Sequence, residues 1–182
     1  MNTQKLIENI VDQIKEGQLK LGYVKETVRL YYPLLSMNAL LGTDFSNARE
    51  LVKNLNAELL RESGIPGGIW LRFQGERIEV SVSPKGVEYI YEKVKASGFL
   101  VDIIELFRSH HSCTLEQICQ VFEKQSKEYV CEKMPSGADF DYVLYFSDSS
   151  VDEYYYCIKM EMGHTIYHRF TKSDYELLCE NL

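Results

Sequence analysis

The tightest grouping of side chains able to do chemistry in this sequence is His110, His111 and Cys113. Imidazole nitrogen and thiolate sulfur are ligands for zinc-like ions, and three of them within four residues could begin such a site. No second Cys/His group follows at the spacing that would close a tetrahedron. The same residues read as a helix end with a histidine beside the negative C-terminal dipole, and no metal is assigned. His164 and His168 lie four residues apart, about 13 Å along a regular strand and too far to share one ion. The five cysteines, Cys113, Cys119, Cys131, Cys157 and Cys179, are an odd number without a C-x-x-C pair. In a reducing compartment such thiols are small buried hydrophobes rather than a disulfide frame or a nucleophile.

Tyr154, Tyr155 and Tyr156, with Tyr167 and Arg169, have the makings of an aromatic surface for a base, a sugar or a peptide. Tyrosine is also an ordinary strand residue, and that reading is preferred. The chain has no phosphate loop, dinucleotide fingerprint, nucleophile elbow or H-E-x-x-H. No catalytic residue and no cofactor is therefore assigned. An enzyme would need one pocket gathering residues such as His110, Cys113, Tyr156 and His168. Arg49, Lys53 and Asn56 fall at i, i+4 and i+7, sharing one helical strip, and Arg77 sits beside a tight turn. These four are the candidates for nucleic-acid contact.

The elements that must position these side chains are legible in part. Ile69 to Gln74 alternates apolar and polar, Gly75-Glu76 turns the chain, and Arg77 to Ser83 alternates back. Glycine at the first turn position favours a type II′ hairpin, which pairs Phe73 with Ile78, Leu71 with Val80, Ile69 with Val82 and Arg72 with Glu79. Helical spacing predicts a first helix over 4–16, capped by Thr3 and ended by Gly17. A second helical stretch is expected over 24–31, interrupted by Pro33, with the chain resuming to Gly42. Ala48, Leu51, Val52, Leu55 and Leu59 form one apolar stripe, placing a helix over about 46–61.

Ser83-Pro84 opens a further helix whose buried face is Val87, Ile90, Tyr91 and Val94, closed by Ser97-Gly98. Phe99, Leu100, Ile103, Ile104 and Phe107 mark the next helix. A capping box at Thr114 and Gln117 starts another, reaching about Lys124. Beyond it, alternation predicts strands over 140–146, 153–162 and 165–171. A three-residue loop at Met162-Gly163-His164 would set Ile158 against His168. A short helix to Cys179, capped by Ser173, ends the chain.

From Ser36 to Ile90 the order of SMNALLG, TDFSNARELVKNLNAELLRESG, IWLRFQGERIEVSVS and PKGVEYI resembles a winged helix-turn-helix. The resemblance implies that the helix over 46–61 enters a major groove, with Arg49, Lys53 and Asn56 facing DNA and Arg77 at the wing tip. Against it, Glu50, Glu58 and Glu62 balance Arg49, Lys53 and Arg61, and acids near phosphate oppose counterion release. The whole chain is also similar to an uncharacterised bacterial family, through Leu30-Tyr31-Tyr32-Pro33-Leu34, Asp141 to Phe146 and His164 to Phe170. Those segments imply a layout and carry no catalytic residue.

Composition suits a folded protein, with 45% hydrophobic and 26% charged residues over 182. No apolar run approaches the roughly 20 residues that span a bilayer, and no signal core is seen, so a cytoplasmic location without membrane contact is expected. The net charge of −7 is uneven: 13 Lys+Arg meet 12 Asp+Glu up to residue 97, then 7 meet 15. An acidic second half should repel nucleic acid. The expected fold is α+β, with a helical winged-helix-like half over 1–97 and a half over 98–182 made of two helices and a small antiparallel sheet. The expected role is a non-catalytic protein acting through protein or small-ligand contacts, self-association included; a DNA-binding regulator is the alternative.

Overall fold

The computed structural model describes residues 1–180 and is α+β, with two antiparallel sheets in two compact units, one over Met1–Ala96 and one from Ser97 onward. In the first unit the order is α1 (Thr3–Leu21), β1 (Val28–Pro33), α2 (Leu34–Leu41), α3 (Ala48–Glu62), β2 (Ile69–Gln74), β3 (Arg77–Val82) and α4 (Pro84–Lys93). The sheet order is β1-β3-β2.

The hairpin pairs as its alternation dictates: Phe73 with Ile78, Leu71 with Val80, Ile69 with Val82 and Arg72 with Glu79. Gly75 has φ 61 while Glu76 stays at negative φ, the pattern of a type II′ turn. Residues 28–31, expected as helix, are strand instead. Val28, Leu30 and Tyr32 alternate with Arg29 and Tyr31, and pair with Val82, Val80 and Ile78 of β3. Period two and β-branched or aromatic types outweighed the helical spacing. Pro33 is tolerated because β1 is an edge strand, and it then serves as the N-cap of α2.

Helix α1 runs through Gly17 to a left-handed cap at Gly22, and Asn2 rather than Thr3 caps its start. A single interior glycine costs about 1 kcal/mol, which burial of Leu6, Ile10 and Ile14 on the same helix outweighs. Lys15 donates to the Ile90 and Tyr91 carbonyls, and Gln18 donates to the Val87 carbonyl, fastening α1 to α4. The cap of α3 is Asn47, whose side chain accepts from the Arg49 and Glu50 N–H groups. Tyr91, expected in the core, is exposed. Leu6, Ile10, Ile14, Leu51, Leu55 and Leu59 pack with Ile69, Leu71, Ile78 and Val80 on one side of the sheet.

The second unit comprises α5 (Gly98–Ser109), α6 (Leu115–Gln125), β4 (Tyr129–Lys133), β5 (Tyr142–Phe146), β6 (Tyr154–Glu161), β7 (His164–Thr171) and α7 (Lys172–Cys179). Its sheet is a meander, β4-β5-β6-β7. Strand β4 has no counterpart in the sequence reading, because Val130-Cys131-Glu132-Lys133 lacks alternation. The β6–β7 turn has two residues, Met162-Gly163, with Gly163 at φ 83, so Ile158 faces Tyr167 and not His168. The one-residue difference turns Thr165 and Tyr167 inward and leaves Ile166 and His168 exposed. One sheet face carries Phe146 and Tyr156 against Phe99 and Phe122, with ring centroids 4.9–5.5 Å apart. On the other, Tyr145, Tyr155 and Tyr175 of α7 stack at 4.3 and 4.8 Å. Thr171, not Ser173, caps α7.

Candidate functional site

Because side chains alternate along strands, the first unit's sheet has an inner face of core residues and an outer face of Arg29 and Tyr31 from β1, Trp70 and Arg72 from β2, and Arg77, Glu79 and Ser81 from β3. Register sets them in rows: Arg29, Ser81 and Trp70 side by side, then Tyr31, Glu79 and Arg72. Arg29, Trp70, Arg72, Glu79 and Ser81 line a cleft of about 300 Å³. Glu79 is only 6% exposed, and among the described residues its carboxylate accepts one hydrogen bond, from the Tyr31 hydroxyl at 3.3 Å. Although Arg72 is its register partner, no ion pair forms between them among the described residues. Trp70 and Tyr31 remain 40% and 45% exposed. The face therefore offers arginine donors, an aromatic surface and a nearly buried acceptor with spare capacity.

The four residues proposed for DNA contact sit differently. Arg49 and Lys53 are exposed on α3, and the Arg49 guanidinium lies 5.8 Å from the centre of the Phe73 ring. Asn56 is half-buried and committed: its Nδ2 donates to the Leu71 carbonyl at 3.0 Å, and its Oδ1 accepts from the Leu71 N–H at 2.7 Å. It supplies edge strand β2 with the pair of bonds that another strand would have made. Arg77 is exposed beside the hairpin turn.

The residues an enzyme would have to gather do not converge. His110 caps the end of α5, with its Nδ1 3.2 Å from the Leu106 carbonyl oxygen. Cys113 is buried, its thiol pushed up by burial, and its backbone N–H and carbonyl are both bonded to the Thr165 hydroxyl, at 3.0 and 2.9 Å. Tyr156 is fully buried on the helix-covered face, whereas His168 pairs with Cys157 and lies on the opposite face. Tyr154, Tyr156 and Tyr167 are buried, and Arg169 stacks over Tyr154 at 4.1 Å, so no aromatic surface forms there. Among the described residues, no three His, Cys, Asp or Glu side chains are grouped to hold a metal ion. None of the described helices is long and apolar enough to cross a membrane.

The outer-face cleft is not legible in the sequence because Arg29, which lines it, and Tyr31, which donates to Glu79, lie in a segment whose spacing predicts helix. The signal that could have found them was the apolar pattern Val28, Leu30, Tyr32, which matches Val82, Val80 and Ile78 in reverse order.

A family model described as a domain of unknown function from E. rectale, DUF3877, matches residues 3–179, and the chain belongs to that family. No curated protein and no solved structure matches the chain.

Proposed function

We propose that this member of the family is a non-catalytic binding protein whose contact surface is the outer face of the β1-β3-β2 sheet. The observation that carries this is the combination on one face of a nearly buried carboxylate, exposed Trp70 and Tyr31, and arginines outside ion-pair distance of any carboxylate among the described residues. A carboxylate has more acceptor sites than one hydroxyl fills, and a few polar groups set beside an aromatic surface are what fix a ligand's orientation in a binding site.

A second reading has its own support. The order α1-β1-α2-α3-β2-β3 with sheet order β1-β3-β2 supports the resemblance to a winged helix-turn-helix, in which α3 would read a major groove. The side chains on α3 weigh against it. Asn56 is held by Leu71, and Arg49, Lys53 and Arg61 alternate with Glu50, Glu58 and Glu62.

Fluorescence anisotropy of labelled duplex DNA with the full chain decides between them. The binding-face reading expects no retained complex even at low salt. Binding that weakens by orders of magnitude between about 50 and 200 mM salt, and is lost in Arg49→Ala or Lys53→Ala, overturns it.

A further inference from the structure

We infer that the outer-face cleft is a site for a guanine mononucleotide, an inference that rests on the binding reading above. Glu79 lines the cleft, is 6% exposed as a residue, and among the described residues its carboxylate receives one hydrogen bond, from the Tyr31 hydroxyl. A carboxylate can accept about four hydrogen bonds, so most of its capacity is unfilled. What fills it must be a donor, and a flat edge bearing two adjacent donors suits a carboxylate best.

Guanine presents such an edge, with N1–H beside the N2 amino group. Adenine does not: its N1 is an acceptor and would set a lone pair against the carboxylate with no proton between them. A ring engaged by Glu79 also needs a surface to lie on, and Trp70 is diagonal to Glu79 across the β2–β3 pair and 40% exposed. Diagonal neighbours on one sheet face are about 7–8 Å apart, within reach of an indole. Base stacking on an aromatic side chain supplies affinity without regard to base identity, leaving discrimination to Glu79.

The remaining groups select the other end of the ligand. Arg29 and Arg72 flank the cleft from opposite edge strands, and neither has a carboxylate within ion-pair distance among the described residues. Paired guanidinium groups bind phosphate through their planar forks. Two arginines and one glutamate leave the cleft with one positive charge, suited to a ligand that carries a phosphate. The volume of about 300 Å³ lies at the lower end of small-molecule sites and fits one nucleotide.

The chain has a single tryptophan, so its intrinsic fluorescence reports on Trp70 alone. The full chain is titrated with GMP, AMP, IMP and guanosine. GMP should quench Trp70 saturably, with AMP weaker by about tenfold or more. IMP lacks the N2 amino group and should fall between them, while guanosine should lose the arginine contacts and bind more weakly than GMP. Glu79→Gln should exchange the preference, because a carboxamide pairs with the donor and acceptor of adenine. Arg29→Ala or Arg72→Ala should weaken GMP and AMP by the same factor. Absence of saturable quenching at millimolar GMP, equal binding of GMP and IMP, or tighter binding of a guanine-containing RNA hexamer than of GMP overturns the inference. These outcomes leave the binding reading standing, whereas salt-sensitive duplex binding through α3 overturns that reading whatever GMP does.

Discussion

Asn56 gives the most direct test of how α3 is used, because its amide has a structural task that can be measured separately from any ligand. It makes two hydrogen bonds to the backbone of Leu71, a residue that is 3% exposed. Each bond contributes about 1 kcal/mol net, and a buried backbone group left without a partner adds about 1–3 kcal/mol of desolvation. Asn56→Ala strips both the N–H and the carbonyl of Leu71, so the first unit should lose about 2–4 kcal/mol. With a urea m-value of about 1–2 kcal/mol/M for a unit of this size, the midpoint should fall by about 1–4 M. Trp70 lies on the same strand and reports the transition.

Asn56→Asp makes a sharper version of the test. It keeps the acceptor for the Leu71 N–H but turns a second carboxylate oxygen toward the Leu71 carbonyl. Protonation restores the donor, so the folded state holds the acid form and raises the carboxyl above its unfolded value near 3.9. Stability is then greatest in acid and declines as pH rises through the folded pKa, opposite to the usual aspartate. An Asn56→Ala midpoint within error of the parent, or an Asn56→Asp midpoint indifferent to pH, would refute the bridge and return Asn56 to the DNA-facing set.

Gly86→Ala should destabilise by about 1–3 kcal/mol despite alanine's higher helix propensity, since the added Cβ would lie 2.7 Å from Ile65 Cγ2, 2.8 Å from Val82 Cγ1 and 3.1 Å from the Pro66 carbonyl oxygen; thermal unfolding followed by circular dichroism checks it. Thr165→Val keeps the shape but leaves the Cys113 N–H and carbonyl unpaired, and should cost about 2–4 kcal/mol in urea unfolding of the second unit. Burial pushes the Cys157 thiol up to about 12, and burial raises Tyr145 and Tyr155 as well. Groups whose folded pKa is raised contribute stability that is complete below their ordinary values and lost as pH climbs through the folded ones, so the second unit should weaken between about pH 9 and 12. An alkaline denaturation series read by near-ultraviolet circular dichroism tests this, and a flat profile over that range would contradict it.

The elements that could be read from the sequence were those whose signals are local. The Gly75-Glu76 hairpin fixes its own register, since one glycine selects the turn and three apolar pairs agree with it. The Thr114 capping box and the Ser83-Pro84 start are equally self-contained, and both form. Non-local choices went the other way. Strand β1 exists because β3 offers it a partner 44 or more residues away in the chain, and the alternation of Val28, Leu30 and Tyr32 does not by itself name that partner. At Met162-Gly163-His164 two turn lengths satisfy the glycine, and burial of Thr165 and Tyr167 against the helices decides between them.

The candidate site inherits this division. Trp70, Arg72 and Glu79 share a face in any register of the hairpin that buries Leu71 and Val80, so half of the cleft was already implied by alternation. The other half arrives with β1, which brings Tyr31 onto Glu79 and Arg29 across from Trp70. Pairing also changes what the arginine and glutamate of the hairpin mean. Taken as an isolated two-strand pair, Arg72 and Glu79 look like an opposite-charge pair that supports register. In the three-stranded sheet Glu79 is the central residue, its hydrogen bond comes from Tyr31, and Arg72 is left to face outward. A charge pair that only held strands together would have neutralised itself; this one is divided, with Glu79 nearly buried and Arg72 exposed, which is the separation that the proposed ligand, with its donor edge and anionic end, would use.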